Sequence, residues 1–384
     1  MYDAIVVGAR CAGSPTAMLL ARRGHKVLLV DRARFPSDTL STHYIHQPGV
    51  AQLERWGLLP RVVAAGAAPV RDFMLDVGPF ALHGTPPPLG AVADARSLRR
   101  VRLDEVLVEA AAEAGAEVRT RHPVDGLVTE RGRVVGIRSR GRTERARIVI
   151  GADGLGSLVA RSVAAPVYHD AGTLTCAYYS YWSGVEMNRV ELYPRLGRMI
   201  VAAPTNDGQV IVVVFWPRAR FHSVRADVER HFLEALELAP GLAERIRGGT
   251  RTDRFRGSGR LPNLYRRAYG DGWALVGDAG HHKDPILALG ITDAFRDAEL
   301  LSDAIETGDL AGYERRRNDA SAPGFAMTLD FAGLAGPPPA MQEMLAGLRD
   351  DAAQRDRFFG VMAGTVAPDE LTPRRRPEAP SAAA

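Results

Sequence analysis

Along the chain, the period of the apolar positions changes from segment to segment, and each change predicts an element. Asp3 to Gly8 is an apolar run closed by glycine, Ala12 to Arg23 carries apolar residues at helical spacing, and Lys26 to Val30 is a second apolar run ending in Asp31. That order reads as strand, helix, strand. A buried strand is expected again at Ile148 to Ile150, breaking into Gly-Ala-Asp-Gly, and at Trp273 to Val276. The latter is followed by Gly-Asp-Ala, a loop containing Pro285, and a helix from about Gly290 to Ile305. Between Leu174 and Pro217, four apolar or alternating runs (LTCAYYSYW, RVELYP, RMIVAAP and QVIVVVFWP) are separated by Gly, Asn and Pro turns, the pattern of an antiparallel sheet. From Tyr313 to Arg355 the period returns to helical. Met327, Phe331, Leu334, Met341, Met344, Leu345 and Leu348 form an apolar face across a break at Pro337, Pro338 and Pro339.

Composition narrows the picture. The 384 residues, 46% of them apolar, suffice for two modest domains or one large α/β unit. The opening apolar run is too short for a secretion signal, and no stretch approaches the roughly 20 apolar residues of a membrane span, so a cytoplasmic protein with no membrane partner is expected. Cys11 and Cys176 lie far apart with no Cys/His cluster, which argues against a disulfide framework and against a structural metal site. His281 and His282, with no acid at ligand spacing beside them in the sequence, do not change that. Net charge is +4, but only Lys26 and Lys283 among the 49 basic residues are lysine, a skew that fits codon bias. The arginines are scattered among the 45 acids, not gathered into a stripe with aromatics, so no nucleic-acid partner is expected. The tail LTPRRRPEAPSAAA is too rich in Pro and Ala to bury a core and is expected to be disordered.

The opening strand, helix and strand carry the first candidate chemistry. In such a unit the helix amino terminus presents free N–H groups and a positive dipole end, on which a pyrophosphate can settle when the preceding turn lets backbone approach. Gly8 supplies the tight turn and Gly13 the close helix contact. Arg10, Cys11 and Ala12 complete the loop, and Asp31, followed by Arg32, stands where an acid accepts from the ribose hydroxyls of a dinucleotide. The middle glycine of the usual fingerprint is here Arg10. Its guanidinium is expected either over the cofactor, toward the pyrophosphate or Asp278, or out in solvent.

Together, the glycine loop, the Gly-Ala-Asp-Gly turn and the Gly-Asp-Ala segment resemble, over roughly residues 1 to 310, the single-component flavoprotein monooxygenases of the para-hydroxybenzoate hydroxylase type, with their halogenase and geranylgeranyl reductase relatives. The last segment is the most specific: Gly277, Asp278, Ala279, His281, Pro285, Gly290 and Asp297 stand at the family's spacings. The resemblance implies an α/β fold: a Rossmann-like FAD-binding domain (1–75, 95–165 and 265–310), an inserted antiparallel β-sheet substrate domain (76–94 and 166–264), a helical C-terminal segment (311–366) and a tail (367–384). It implies FAD as cofactor, with Asp278 at a ribityl hydroxyl and Gly290 and Ile291 directing N–H groups at the flavin N1–C2=O edge. Pro285 would line the face where oxygen reacts, Asp153 and Gly154 would support the pyrophosphate region and nicotinamide access, Arg100 would lie near the phosphates or ribityl chain, and Val124 at the adenine.

The same resemblance implies NADH or NADPH as a transient electron donor and molecular oxygen as co-substrate. The activity would be oxygenation, through a flavin C4a-hydroperoxide, of a small aromatic, polyketide-like or amine metabolite of secondary metabolism. Reduction of double bonds, or FAD binding without oxygenase activity, stay open as alternatives. Tyr179, Tyr181, Trp182, Phe215 and Trp216 are candidates to line a substrate pocket, and the arginines of the middle segment suit an anionic substrate as readily as codon bias. His43 and His46 are candidates to move protons near neutral pH. The one other glycine-rich stretch, GSGRLPN at Gly257, lacks a helix to follow it, so no second dinucleotide loop is expected. The chain departs from the family at Thr292, at Leu287 and at Ile45, His46 and Gln47, where relatives carry asparagine, glycine and a flavin-contacting arginine.

Overall fold

The computed structural model describes residues 1–371. A parallel sheet grows outward from the opening strand. Tyr2–Val7 pairs with Val27–Val30 on one side and Arg142–Gly151 on the other, and Glu117–Arg119 and Trp273–Leu275 extend the two sides, all in parallel. These strands are apolar at nearly every position because both faces are covered. On one face Val6 and Leu29 pack with Met18 and Leu20 of the helix Gly13–Arg22, Leu103 and Leu107 of Arg100–Glu113, and Phe295 and Leu301 of Gly290–Thr307. On the other face Ile5, Val7, Leu28 and Val30 pack with Val134 and Ile137 of an antiparallel meander, Gly126–Glu130, Arg133–Ser139 and Arg142–Gly151. The buried strand expected at Ile148 to Ile150 is therefore the end of a longer one shared by meander and sheet.

The second sheet places Thr175–Ser183, Val210–Pro217, Arg198–Pro204 and Arg189–Arg195 side by side, antiparallel throughout. Arg189–Arg195 then pairs in parallel with Asp72–Asp76, which forms a hairpin with Ala81–Gly84. The sheet is thus not wholly antiparallel, and the boundary expected between residues 75 and 76 falls inside a strand.

Strand alternation gives this sheet two faces. Cys176, Tyr178, Trp182 and Trp216 share the back with Val224, Phe232 and Leu242 of three short helices, Phe221–Ala226, Val228–Leu236 and Pro240–Gly248. The reading of 166–264 as sheet did not anticipate these helices. The second of them starts where the Asp227 carboxylate accepts the Arg230 N–H, and it stacks Phe232 on Trp182 with ring centroids 5.7 Å apart. Tyr179, Tyr181, Val213 and Phe215 share the front.

The C-terminal helices Leu310–Ala332, Pro339–Gly347 and Ala352–Ala363 close over the front. Met327, Phe331, Leu345 and Leu348 pack there, but Met341 and Met344 are exposed: after the proline break the helix turns only one edge inward. The last helix, which runs beyond Arg355, contributes Phe359 and Met362 instead. Of the expected disordered tail, Pro368–Glu370 form a single 3-10 turn and residues from 372 onward lie outside the described residues. No helix among the described residues is long and apolar enough to cross a membrane.

Candidate active site

The three motifs meet at glycines. A Cβ on Gly13 would stand 1.7 Å from the Gly8 carbonyl oxygen, and one on Gly8, whose φ is +105°, would stand 2.4 Å from the Ala152 carbonyl oxygen. Only glycine fits either position. A Cβ on Gly277 would lie 2.7 Å from the Ala12 Cβ, so the Gly-Asp-Ala segment abuts the glycine loop just as the Gly-Ala-Asp-Gly turn does. At the other end of the loop the Asp31 carboxylate accepts the Ala9 and Ala33 N–H groups, each at 2.7 Å. Beside it, the His122 N–H donates to the Asp31 carbonyl, which brings half-buried Val124 alongside, while Arg32 is exposed.

What this cradle leaves unfilled fits a dinucleotide. The helix Gly13–Arg22 begins with no side-chain cap and no acid in its first turn, so its N–H groups and dipole are left for an anion. Asp153 accepts the Leu158 and Val159 N–H groups through Oδ2, while its Oδ1 is buried with no partner among the described residues, and burial raises its pKa. The adjacent Gly154 has φ +75°. Asp278 is exposed to the groove, and Gly290, also exposed, opens a helix with no side-chain cap, with Ile291 buried behind it.

Arg10 does not run out into solvent. Its guanidinium donates to Asp104 Oδ2 at 2.5 Å and to the carbonyl and hydroxyl of Ser37, and it lies 5.4 Å over the Phe35 ring. The physical reason is Asp104. Fully buried on the helix Arg100–Glu113, it also accepts from Arg100 (2.9 and 3.2 Å) and from the Cys11 thiol (3.4 Å), so two cations share one carboxylate. Burial raises the Cys11 pKa, so the thiol stays protonated as a donor. Arg100, which burial alone would favour losing its proton, is held charged by Asp104 and also feels Asp278. Asp104 was missed in the sequence. Its signal was an acid between Leu103 and Leu107 on the apolar face of an Arg-x-x-x-Asp helix.

A second ionic cluster, also unforeseen, lies beneath the loop from Gly277 to Gly290. Lys283 is buried with Nζ 2.6 Å from Asp293 Oδ2, and Arg296 bridges Asp293 (2.6 Å) and Asp297 (2.7 Å). Burial would raise the Asp293 carboxyl, but Lys283, Arg296 and His281 together hold it well below the ordinary range. His281 is pushed toward its neutral form by burial, against the pull of Asp297. The acids absent from its sequence neighbourhood are thus supplied by the next helix, yet they are committed to Lys283 and Arg296. Among the described residues no group of three or more His, Cys, Asp or Glu is placed to hold a metal ion.

Facing this loop is an apolar cavity of about 50 Å³. One wall is the loop itself, Pro285 to Ala288, and the other is the front of the second sheet, through Leu192, Val213 and Phe215, with Phe73 and Met362 closing the side. Phe215 lines this cavity. Tyr179 and Tyr181 share its face but sit beyond the cavity, and Trp182 and Trp216 point to the back. Tyr181 is sandwiched between His43 (ring centroids 5.6 Å apart) and the Arg99 guanidinium (4.2 Å). None of the middle segment's arginines lines the cavity.

His46 lines the cavity and His43 does not. Both are buried, and burial pushes their pKa values down to about 4 and about 3, so neither changes charge near neutral pH as expected from the sequence. The His46 Nε2 lies 2.9 Å from the Leu287 carbonyl, which ties the histidine to the loop at one of the positions where the chain departs from its relatives. The Gly257 stretch is a strand edge: a Cβ there would stand 2.2 Å from the Ala177 carbonyl oxygen, so this glycine serves sheet packing.

Comparison with known proteins agrees with this geometry. A digeranylgeranylglycerophospholipid reductase of Methanopyrus kandleri is 27% identical over 355 residues, 86% of this chain and 85% of that protein. The kynurenine 3-monooxygenase of Salinispora arenicola is 26% identical over 355 residues, 82% of this chain and 75% of that one. In fold, a flavin-dependent brominase superposes with a TM-score of 0.82 at 17% identity, covering 94% of this chain and 93% of the other. The profile of the FAD binding domain matches residues 1–307. With the uncapped helix, the three abutting glycine motifs and the Asp31 carboxylate that ends the second strand in place, the chain belongs to the FAD binding domain family and is an FAD-dependent oxidoreductase.

Proposed function

We propose that the protein is an NAD(P)H-dependent monooxygenase that oxygenates a small aromatic or polyketide-like metabolite. The observation that carries this reading is the apolar cavity walled on one side by Pro285 to Ala288, the loop that follows Asp278. Bound FAD supplies activation of oxygen and transfer of one of its atoms, with electrons from NADH or NADPH.

The chain's own residues bind, orient and exclude water. The N–H groups at Cys11, Ala12 and Gly13 would take the pyrophosphate, Asp31 the adenosine ribose, Val124 the adenine, and Arg100 with Asp278 the ribityl side. Asp153 and Gly154 would support the pyrophosphate, and the N–H groups at Gly290 and Ile291 would meet the flavin ring, where a helix amino terminus favours negative charge. Val213, Phe215 and Met362 keep the facing cavity dry, which strengthens polar contacts inside it and suppresses loss of the oxidising equivalent to water. His46 keeps its proton at Nε2, donated to the Leu287 carbonyl, and acts as a fixed dipole without a change of charge.

The test is NAD(P)H oxidation by the FAD-loaded protein, with and without oxygen, across aromatic, polyketide-like and amine compounds. Substrate-stimulated oxidation giving an oxygenated product supports the proposal. Anaerobic turnover giving a saturated product would favour the second reading, reduction of a double bond, which rests on the likeness over 86% of the chain to the archaeal reductase. A protein that takes up no FAD would overturn both.

A further inference from the structure

The arginines of the middle segment line no part of the cavity, yet their placement has a pattern. In a chain with nearly as many acids as bases, residues 192–206, 208–226 and 254–270 carry ten arginines and no Asp or Glu. Strand register brings parts of all three stretches to one end of the second sheet. Met199 pairs with Phe215, which sets Arg198 level with Trp216, 5.8 Å over its ring and next to Arg218. Cys176 also pairs with Trp216, and Ala177 with Ser258 of the short strand Arg256–Ser258, which delivers Arg260 past the same end. The helix Phe221–Ala226 follows directly. Its Phe221 ring lies 4.9 Å from the Arg218 guanidinium, and a Cβ on Gly259 would stand 2.5 Å from that ring, so the turn before Arg260 is pressed against it.

Arg195, Arg256 and Arg267 are paired with acids, but Arg198, Arg218, Arg220, Arg225 and Arg260 form no ion pair among the described residues. Burial and the neighbouring Arg220 pull the Arg198 pKa down, as expected of a cation beside another cation. The acid felt there, Glu234, is itself committed to Arg230. Such a concentration of unpaired guanidinium groups attracts anions. Between Arg195 and Arg198 stands Leu196, at 83% the most exposed large apolar side chain among the described residues. A protruding apolar residue surrounded by arginines has the anatomy of a protein interface, an anchor within a polar rim. A lipid surface asks for a broad apolar face, whereas the helix here turns His222, Ser223 and Arg225 outward. A nucleic acid strand asks for exposed rings to stack on its bases, and no Phe, Tyr or Trp is exposed beside these arginines. Carboxylates match the guanidinium fork directly.

We propose that this end of the second sheet is a docking surface for an acidic protein, whose carboxylates pair with Arg198, Arg218, Arg220, Arg225 and Arg260 around Leu196 as the apolar anchor. The surface adjoins the cavity wall without sharing it. Arg218 follows Phe215 by three residues, and Thr175, which pairs with Pro217, donates to Asp284 at the head of the Pro285 loop.

The test is fluorescence anisotropy of a fluorescein-labelled, glutamate-rich helical peptide bearing one stripe of leucines, titrated with the full-length protein at pH 7 and low salt. We expect saturable binding that weakens as salt is added. Arg218→Glu, Arg220→Glu and Arg225→Glu together should weaken it about tenfold, and Leu196→Ser alone about fivefold. The matching control, Arg131→Glu, Arg140→Glu and Arg142→Glu together, reverses exposed arginines of the antiparallel meander and should change it by less than about twofold. Thermal melts check folding, and Arg220→Glu alone, expected to cost about threefold, carries the test if the triple variant does not fold. Equal weakening by both triple variants, normal binding by the first triple variant or by Leu196→Ser, or no binding at low salt would each overturn the proposal. So would tighter binding of a single-stranded oligonucleotide of equal charge, and so would phosphatidylglycerol vesicle binding or self-association that the first triple variant abolishes.

Discussion

The Lys283 ammonium lies 2.6 Å from the Asp293 carboxylate, with both side chains buried beneath the loop that leads from Asp278 to the helix Gly290–Thr307. Asp293 stands in the first turn of that helix, where its charge would blunt the positive end proposed to meet the flavin, and Lys283 offsets it. Lys283→Met leaves Asp293 with Arg296 and the His281 ring as its close basic neighbours among the described residues. The variant should lose about 2–4 kcal/mol of stability in denaturant melts. Its bound FAD should also show a more negative midpoint potential by spectroelectrochemistry, because reduced flavin would face an undercompensated carboxylate.

Asp284 predicts a pH dependence. It is buried at the start of the Pro285 to Leu287 turn, where it accepts from the Thr175 hydroxyl and the Ile286 N–H, and burial raises its pKa from the ordinary 3.8 to about 6. A carboxyl whose folded pKa lies above its unfolded one stabilises the protein most below the unfolded value, and that contribution is lost as pH rises through about 6. Asp284→Asn, whose amide oxygen keeps the contact from the Ile286 N–H while its amide N–H donates to the Thr175 hydroxyl oxygen, removes the charge and should raise unfolding free energy above pH 7 by roughly 3 kcal/mol. The gain should vanish toward pH 4, as followed by urea melts across that range.

Gly13→Ala places a methyl 1.7 Å from the Gly8 carbonyl oxygen, inside the turn proposed above to admit the pyrophosphate. The variant should purify without FAD and fail to take it up on titration, measured by quenching of flavin fluorescence. Normal FAD uptake would mean that this turn is not where the cofactor lies.

Arg10→Ala removes the clamp between Asp104 and Ser37 while keeping the backbone of the loop. Stability should fall by about 1–2 kcal/mol, in line with loss of a charge-assisted hydrogen bond. Arg10→Lys should recover little of it, because a lysine cannot reach both partners with one planar fork. Both effects would appear in the midpoint of urea unfolding.

The sequence carried the parts of this structure whose cause is local. The strand and helix around Gly8 and Gly13, the spacing from Gly277 to Asp297 and the four strands between Thr175 and Pro217 all follow from the period of their own side chains. Partner identity was not legible. Nothing around Asp72 signals that it pairs in parallel with a strand more than a hundred residues away, and that pairing helps bring Phe73 to the cavity. The aromatic run Tyr178 to Trp182 reads as one feature, yet alternation splits it between the two faces, and the neighbouring strands decide that Phe215 reaches the cavity while Tyr181 does not. The three helices behind Trp216 were hidden because each is nine residues or shorter. Arg10 looked like a lost glycine until folding supplied Asp104 from another helix.

The contact between Ala12 and Gly277 has a mechanical meaning. Two segments separated by most of the chain share a space too small for one additional methyl group, so neither can advance without displacing the other. A shift of the Gly-Asp-Ala segment is thereby felt at the glycine turn of the first helix. The two motifs behave as one rigid jaw, and any widening of the apolar cavity has to come from the opposite wall, around Phe73, Phe215 and Met362.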